Sequence, residues 1–199
     1  MESLEEVKRL SIVEKYMLML LYAAGGKVRG KLWLHKEMFV LSEAFSDLAD
    51  ELDFEAYSYG PFSETLEEYR DMLENSGLIK DLGLTGRGLE LARRLWELES
   101  DDKKEMIKGV ADFFEKLDQD ELLLYIYVNY PKASEKSDIR ERVMRKRKEI
   151  ALKMLREGKV SLSLAAQLAG LSIEELIKIA VKHGIKPFDV QGDLNEARR

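Results

Sequence analysis

The chain has 199 residues, of which 45% are apolar and 35% charged, with no cysteine and a net charge of −6. That apolar share excludes wholesale disorder, and the lack of cysteine excludes a disulfide framework and a thiolate metal site. The longest apolar run, near Tyr16 to Ala24, is far short of the roughly 20 residues a bilayer span needs, and Glu2, Glu5 and Glu6 replace the basic patch of a secretory leader, so a cytoplasmic protein without a membrane anchor is expected.

A first helix is expected from about Leu4 to Ala24. Leu10, Val13, Met17, Leu20 and Leu21 recur at helical spacing, and Gly25-Gly26 follows. After a short turn at Lys27–Gly30, a second helical stretch carries Leu32, Leu34, Met38, Phe39, Leu41, Leu48 and Leu52. Phe54–Tyr59 alternates in polarity and reads as extended, and Gly60-Pro61-Phe62 turns the chain. Ser63 can cap a helix to about Ser76, with acids in the first turns where the helix dipole favours them. Leu66, Tyr69, Met72 and Leu73 form its expected buried stripe. Lys80–Thr85, with Gly83 inside, is short enough for a two-stranded wing. Thr85-Gly86-Arg87-Gly88 then opens a helix through Leu91, Leu95 and Leu98. This order predicts a mainly α chain whose residues 1–100 form a winged helix-turn-helix with a small β-wing.

Residues 101–137 read as a helical connector. Ser100-Asp101-Asp102 caps one helix carrying Met106, Val110, Phe113, Phe114 and Leu117, and Asp118 caps the next, which Tyr130-Pro131 stops. Residues 138–199 read as a long basic helix to about Glu157, ended by Gly158, then a helix-turn-helix over Ser161–His183 and a loosely ordered tail after Pro187. In Ala165-Ala166-Gln167-Leu168-Ala169-Gly170-Leu171-Ser172-Ile173-Glu174-Glu175-Leu176, Ala166 lets two helices approach, Gly170 permits the turn, and Leu171, Leu176 and Ile179 fill the space beneath. Ser172 and Glu175 have capping-box spacing, which gives Glu175 a structural role.

Charge divides the chain. Residues 43–77 hold eleven acids against Arg70 alone, whereas residues 132–160 hold eleven bases against five acids. The later segment attracts polyanions and the earlier one repels them. Arg142, Arg145, Arg147 and Lys148 on the basic helix, with Lys178 and Lys182 on the second helix of the pair, are therefore the expected phosphate contacts. The acidic helix bearing Glu64, Glu67, Glu68, Asp71 and Glu74 should stay out of a DNA groove. It suits a basic protein partner such as a toxin.

Catalysis finds no support. Gly25–Lys31 approaches a phosphate loop, but Lys31 is followed by Leu32 where a magnesium-holding hydroxyl is required. His35 and His183 have no ligand-spaced partners, so no metal or other cofactor is expected, and His35 reads as a helix-surface or half-buried residue. Trp33 and Trp96 read as core, as do Tyr125 and Tyr127.

Leu20–Ala24, Gly30–Phe39, Tyr59–Ser63 and Leu84–Gly88 together resemble a family of archaeal winged-helix proteins that is similar to the Panacea antitoxin domain. Tyr127–Ser137 resembles a connector in the same proteins. Ala151–Ser161 and the helix-turn-helix after it, through His183-Gly184-Ile185 and on to the tail, resemble a small prokaryotic family of antitoxin-like helix-turn-helix proteins. The resemblances imply a DNA-binding transcriptional regulator, antitoxin-like and autoregulatory, or else a toxin-neutralising interaction module. They imply no catalytic residue. The architecture also predicts a homodimer, because symmetric DNA readers pair two heads.

Overall fold

The computed structural model describes residues 2–185, so the tail after Pro187 lies outside the described residues. The protein is mainly helical, and among the described residues no helix is long and apolar enough to cross a membrane. Two compact units divide the chain. The first comprises Pro61–Lys116 with the residues up to Tyr57, and the second comprises Ser58–Gly60 with the residues from Leu117 onward.

In the first unit the expected opening helix is two helices, α1 (Glu2–Arg9) and α2 (Ile12–Ala23). The break is chemical. Ser11 accepts from the Glu14 amide, and the Glu14 carboxylate accepts from the Ser11 amide, a complete capping box that starts a new helix. Met17, Leu18, Leu20 and Leu21 are all buried, so α2 is covered on nearly every side. Helix α3 (Lys31–Ala44) and the single turn α4 (Ser46–Ala49) follow, separated at an extended Phe45. Strands β1 (Glu55–Tyr57) and β2 (Gly60–Phe62) pair and lead into α5 (Glu64–Asn75), whose Ser63 cap accepts from the Leu66 amide. Leu66 and Leu73 are buried in α5 as expected, but Met72 is 53% exposed and forms no part of the buried stripe.

Strands β3 (Ile79–Lys80) and β4 (Gly83–Leu84) form the anticipated hairpin, antiparallel with Ile79 opposite Leu84. Its two-residue turn, Asp81-Leu82, has positive φ at both positions. Lys27 bridges to Gly83, extending the small sheet by one residue pair. Helices α6 (Gly86–Leu98) and α7 (Asp101–Glu115) complete the unit, and both pack on α2. Leu98, expected inside α6, is 65% exposed. Gly88 is fixed by sterics, because a Cβ there would sit 1.8 Å from the Leu78 carbonyl oxygen.

The second unit contains α8 (Gln119–Asn129), a 3-10 turn at Lys132–Ser134, α9 (Arg140–Arg145), α10 (Arg147–Arg156), α11 (Leu162–Ala169) and α12 (Ile173–Lys182). The expected single basic helix is broken at Lys146, whose backbone leaves helical geometry. Helix α10 packs chiefly on α11 and α8, and α11 packs on α12. The core joins Val143, Ala151, Met154, Ala165, Leu168, Leu176 and Ala180 to Leu122, Leu123 and Ile126 of α8. Small residues at 165, 166, 169 and 180 permit close helix approach. Within this unit the Ser58 carbonyl accepts from the Asp138 amide (3.1 Å) and the Ser137 hydroxyl (2.9 Å).

Candidate nucleic-acid interface

The α11–α12 pair has the local chemistry of a helix-turn-helix. Ser161 caps α11, and Gly170 ends it with φ +68, the left-handed conformation glycine adopts without penalty. Ser172 and Glu175 form the complete capping box at the start of α12. Glu175 is thereby occupied by the backbone, and its carboxyl is held below the usual range chiefly by those Ser172 contacts, with Lys148 and Lys178 adding weaker attraction. Leu176 and Ala180 face inward, while Glu174, Lys178, Val181 and Lys182 face solvent.

The six expected phosphate contacts divide into three groups. Lys148, Lys178 and Lys182 are exposed and make no ion pair among the described residues. Arg142 donates to Asp120 (2.8 Å), and Arg145 pairs with Glu141 one turn away. These surface pairs are weak, because water and salt screen exposed charges, so a phosphate can replace the carboxylate at little cost. Arg147 is unlike the rest. Its guanidinium donates to the Leu168 carbonyl at 2.7 Å and the Gln167 carbonyl at 3.0 Å, capping the last turn of α11. It also lies against Gly170, where a Cβ would come within 2.7 Å of the guanidinium carbon. Arg147 is therefore a buttress of the turn.

Glu121 holds the second unit together in a way the sequence pattern does not reveal. It is 1% exposed, completes the capping box of α8 with Asp118, and accepts from Lys159 at 2.7 Å, with Lys153 at 3.1 Å. Its charge thus holds α10 and the segment before α11 against α8. The signal was available in Asp118 and Glu121 three residues apart, but the two lysines lie more than 30 positions further on.

In the first unit, the acidic helix is partly spent internally. His35 is 3% exposed, against the half-buried surface position expected for it. Its Nδ1 accepts from the Ser63 amide (3.4 Å), leaving the proton on Nε2 to donate to Glu67 at 2.9 Å. Phe62 stacks on the imidazole at 4.4 Å. Burial outweighs the attraction of Glu67 and lowers the affinity of His35 for a second proton. Burial of Glu67 itself works against ionisation, but hydrogen bonds from Lys31 and His35, with the Arg70 charge, pull its carboxyl down to about 2. Ser63, His35 and Glu67 have the composition of a hydrolytic triad without its geometry. The Ser63 hydroxyl accepts from the Leu66 amide, and it is the Ser63 backbone that meets the imidazole.

Arg70 ties up Glu74 (3.1 Å) and touches Asp71 (2.6 Å). Glu64, Glu68 and Asp71 remain on the exposed face of α5, flanking Met72. Of the five acids assigned to a partner, Glu67 is thus committed to holding α5 on α3. No protein-family model matches this chain, nor does any curated protein or any solved structure.

Proposed function

We propose that the chain is a DNA-binding transcriptional regulator, antitoxin-like and acting on its own operon, with α11–α12 as the reading head. The observation that carries this reading is the placement of Lys148, Lys178 and Lys182. All three are exposed and, among the described residues, without ion pairs on a capped helix-turn-helix or the helix that supports it. Arg142 and Arg145 add contacts that exchange a surface carboxylate for a phosphate. The exposed Glu174 disfavours dense base readout by α12, because a carboxylate accepts only from cytosine and repels the backbone. Affinity on this reading comes mostly from phosphates. The first unit, with the helical order of a winged helix and the β3–β4 hairpin as its wing, presents acids on α5 and does not enter a groove.

Gel-shift titration against the DNA upstream of its own gene tests the proposal. The expected result is retardation at low salt that Lys148→Glu, Lys178→Glu and Lys182→Glu together abolish, on specific and unrelated duplexes alike. No retardation by the unaltered protein at low salt overturns it.

A second reading rests on a separate observation. Glu64, Glu68 and Asp71 share one exposed face of α5 with the 53% exposed Met72. An exposed apolar side chain on the same helix face as several carboxylates suits a basic, partly apolar protein surface such as a toxin's. On this reading a complex purified from the native host dissociates when all three acids are replaced by lysine.

A further inference from the structure

The second unit carries a groove of about 560 Å³ between α10, the C-terminal half of α12 and the start of α8. Ile150, Leu152, Ile179 and Ile185 give it an apolar wall. Its size lies within the range of small-molecule sites.

The lining holds four acids against Lys146, Lys148, Lys153 and Arg156, but these charges are not all free. The acids at the α8 end are already engaged, Asp118 by Lys153, Glu121 by Lys153 and Lys159, and Asp120 by Arg142. Among the described residues that line the groove, Lys146, Lys148 and Arg156 make no ion pair, and one carboxylate, Glu149, is equally unengaged. Three uncommitted cations against one uncommitted carboxylate, beside an isoleucine- and leucine-lined wall, favour an occupant with one negative end and one apolar end. An inorganic anion would leave the wall wet. A neutral apolar molecule would bring nothing to the lysines and the arginine.

We infer that this groove binds a small organic anion with an apolar body, of the class of a medium-chain or aromatic carboxylate. The carboxylate sits among Lys146, Lys148 and Arg156, and the apolar part lies along Ile150 and Ile179. The inference goes beyond the DNA reading and stands without it. Ile179 belongs to α12, however, so an occupant of the groove also touches the helix assigned to DNA.

Fluorescence titration of the full chain with 8-anilinonaphthalene-1-sulfonate, an apolar anion, tests it directly. The expected result is saturable one-to-one enhancement, reversed by octanoate. Octylammonium, and inorganic phosphate at the same ionic strength, should displace the dye at least tenfold less effectively. The paired substitution Lys146→Glu with Arg156→Glu, which touches only exposed positions, should weaken dye binding at least tenfold with an unchanged thermal midpoint. Leu152→Asp, which places a charge on the apolar wall, should also weaken dye binding. Dye binding that fails to saturate, that survives both variants, or that yields equally to octylammonium or phosphate overturns the inference.

Discussion

Three consecutive residues of α3, His35, Lys36 and Glu37, are each no more than 3% exposed. In the sequence they look like a polar helix face. For the first two, their partners explain why they are inside. Lys36 donates to the Pro61 carbonyl at 2.8 Å, His35 bridges Ser63 and Glu67, and all three partners lie 25 or more positions further on. No local pattern reveals them. Glu37 has a buried Oε2 without a hydrogen-bond partner, and burial, with the nearby charge of Glu115, pushes its carboxyl up to about 8. The folded state therefore holds a proton on Glu37 that the unfolded chain releases near pH 4.5. Stability from this group is complete below that pH and is lost as pH rises through about 8. Glu37→Gln keeps the shape and removes the titration. Denaturant unfolding from pH 5 to 9 should show the variant gaining on the unaltered protein as pH rises. A constant difference would place Glu37 in water. Gly88 makes a second prediction at this scale. Its amide donates to the Thr85 hydroxyl, and its missing side chain leaves room for the Leu78 carbonyl. Gly88→Ala should cost about 3 kcal/mol, measured by urea unfolding, because the obstacle is backbone and cannot rotate away.

Helix ends decide most of what sequence reading gets right and wrong. Ser63, Thr85, Asp118, Ser161 and Ser172 each cap a helix through the side chain. Four of these starts are legible because a hydroxyl or carboxylate precedes an apolar-periodic run, and the fifth, Thr85, because a glycine-rich turn follows it. The start of α2 at Ser11 has the same signature, yet continuous apolar spacing across Leu10 and Val13 masks it. The break between α9 and α10 has no such mark. It lies in the run Arg145-Lys146-Arg147-Lys148, where every residue favours helix and only a distant acceptor redirects one of them. That acceptor is the end of α11. A guanidinium at a helix C-terminus meets both its orphan carbonyls and its negative dipole. Arg147→Ala should therefore cost about 1–2 kcal/mol. Gly170→Ala should cost a similar amount, from positive φ and from displacing the same guanidinium. The two losses overlap, so the double variant should be less destabilised than the sum of the singles. Strict additivity in thermal unfolding would mean that the Arg147 guanidinium does not lie against Gly170.

Across the whole molecule, the legible property is the separation of charge, and the illegible one is how much of that charge is already used. Composition places eleven bases in residues 132–160. The folded chain spends Lys153 and Lys159 on the buried Glu121, and Arg147 on carbonyls. On the DNA-binding reading the basic surface that remains is small, and its affinity for DNA should respond to salt accordingly. Each phosphate-contacting lysine removed should lower the slope of log affinity against log salt by about 0.9. Lys178→Ala and Lys182→Ala are expected to do so one by one, whereas Lys159→Ala should leave the slope unchanged while lowering stability. An equal effect of all three would mean diffuse attraction to the entire chain.

The hydrogen bonds from Ser137 and Asp138 to the Ser58 carbonyl carry a practical meaning for anyone wishing to transplant the second unit. A fragment that begins at Leu117 leaves behind the acceptor for both donors, and with it the anchor of the hydroxyl that Tyr127 also holds at 2.7 Å. Grafts of this unit onto another protein should therefore carry a short peptide mimicking Ser58–Gly60, or replace Ser137 with a residue that asks for no acceptor.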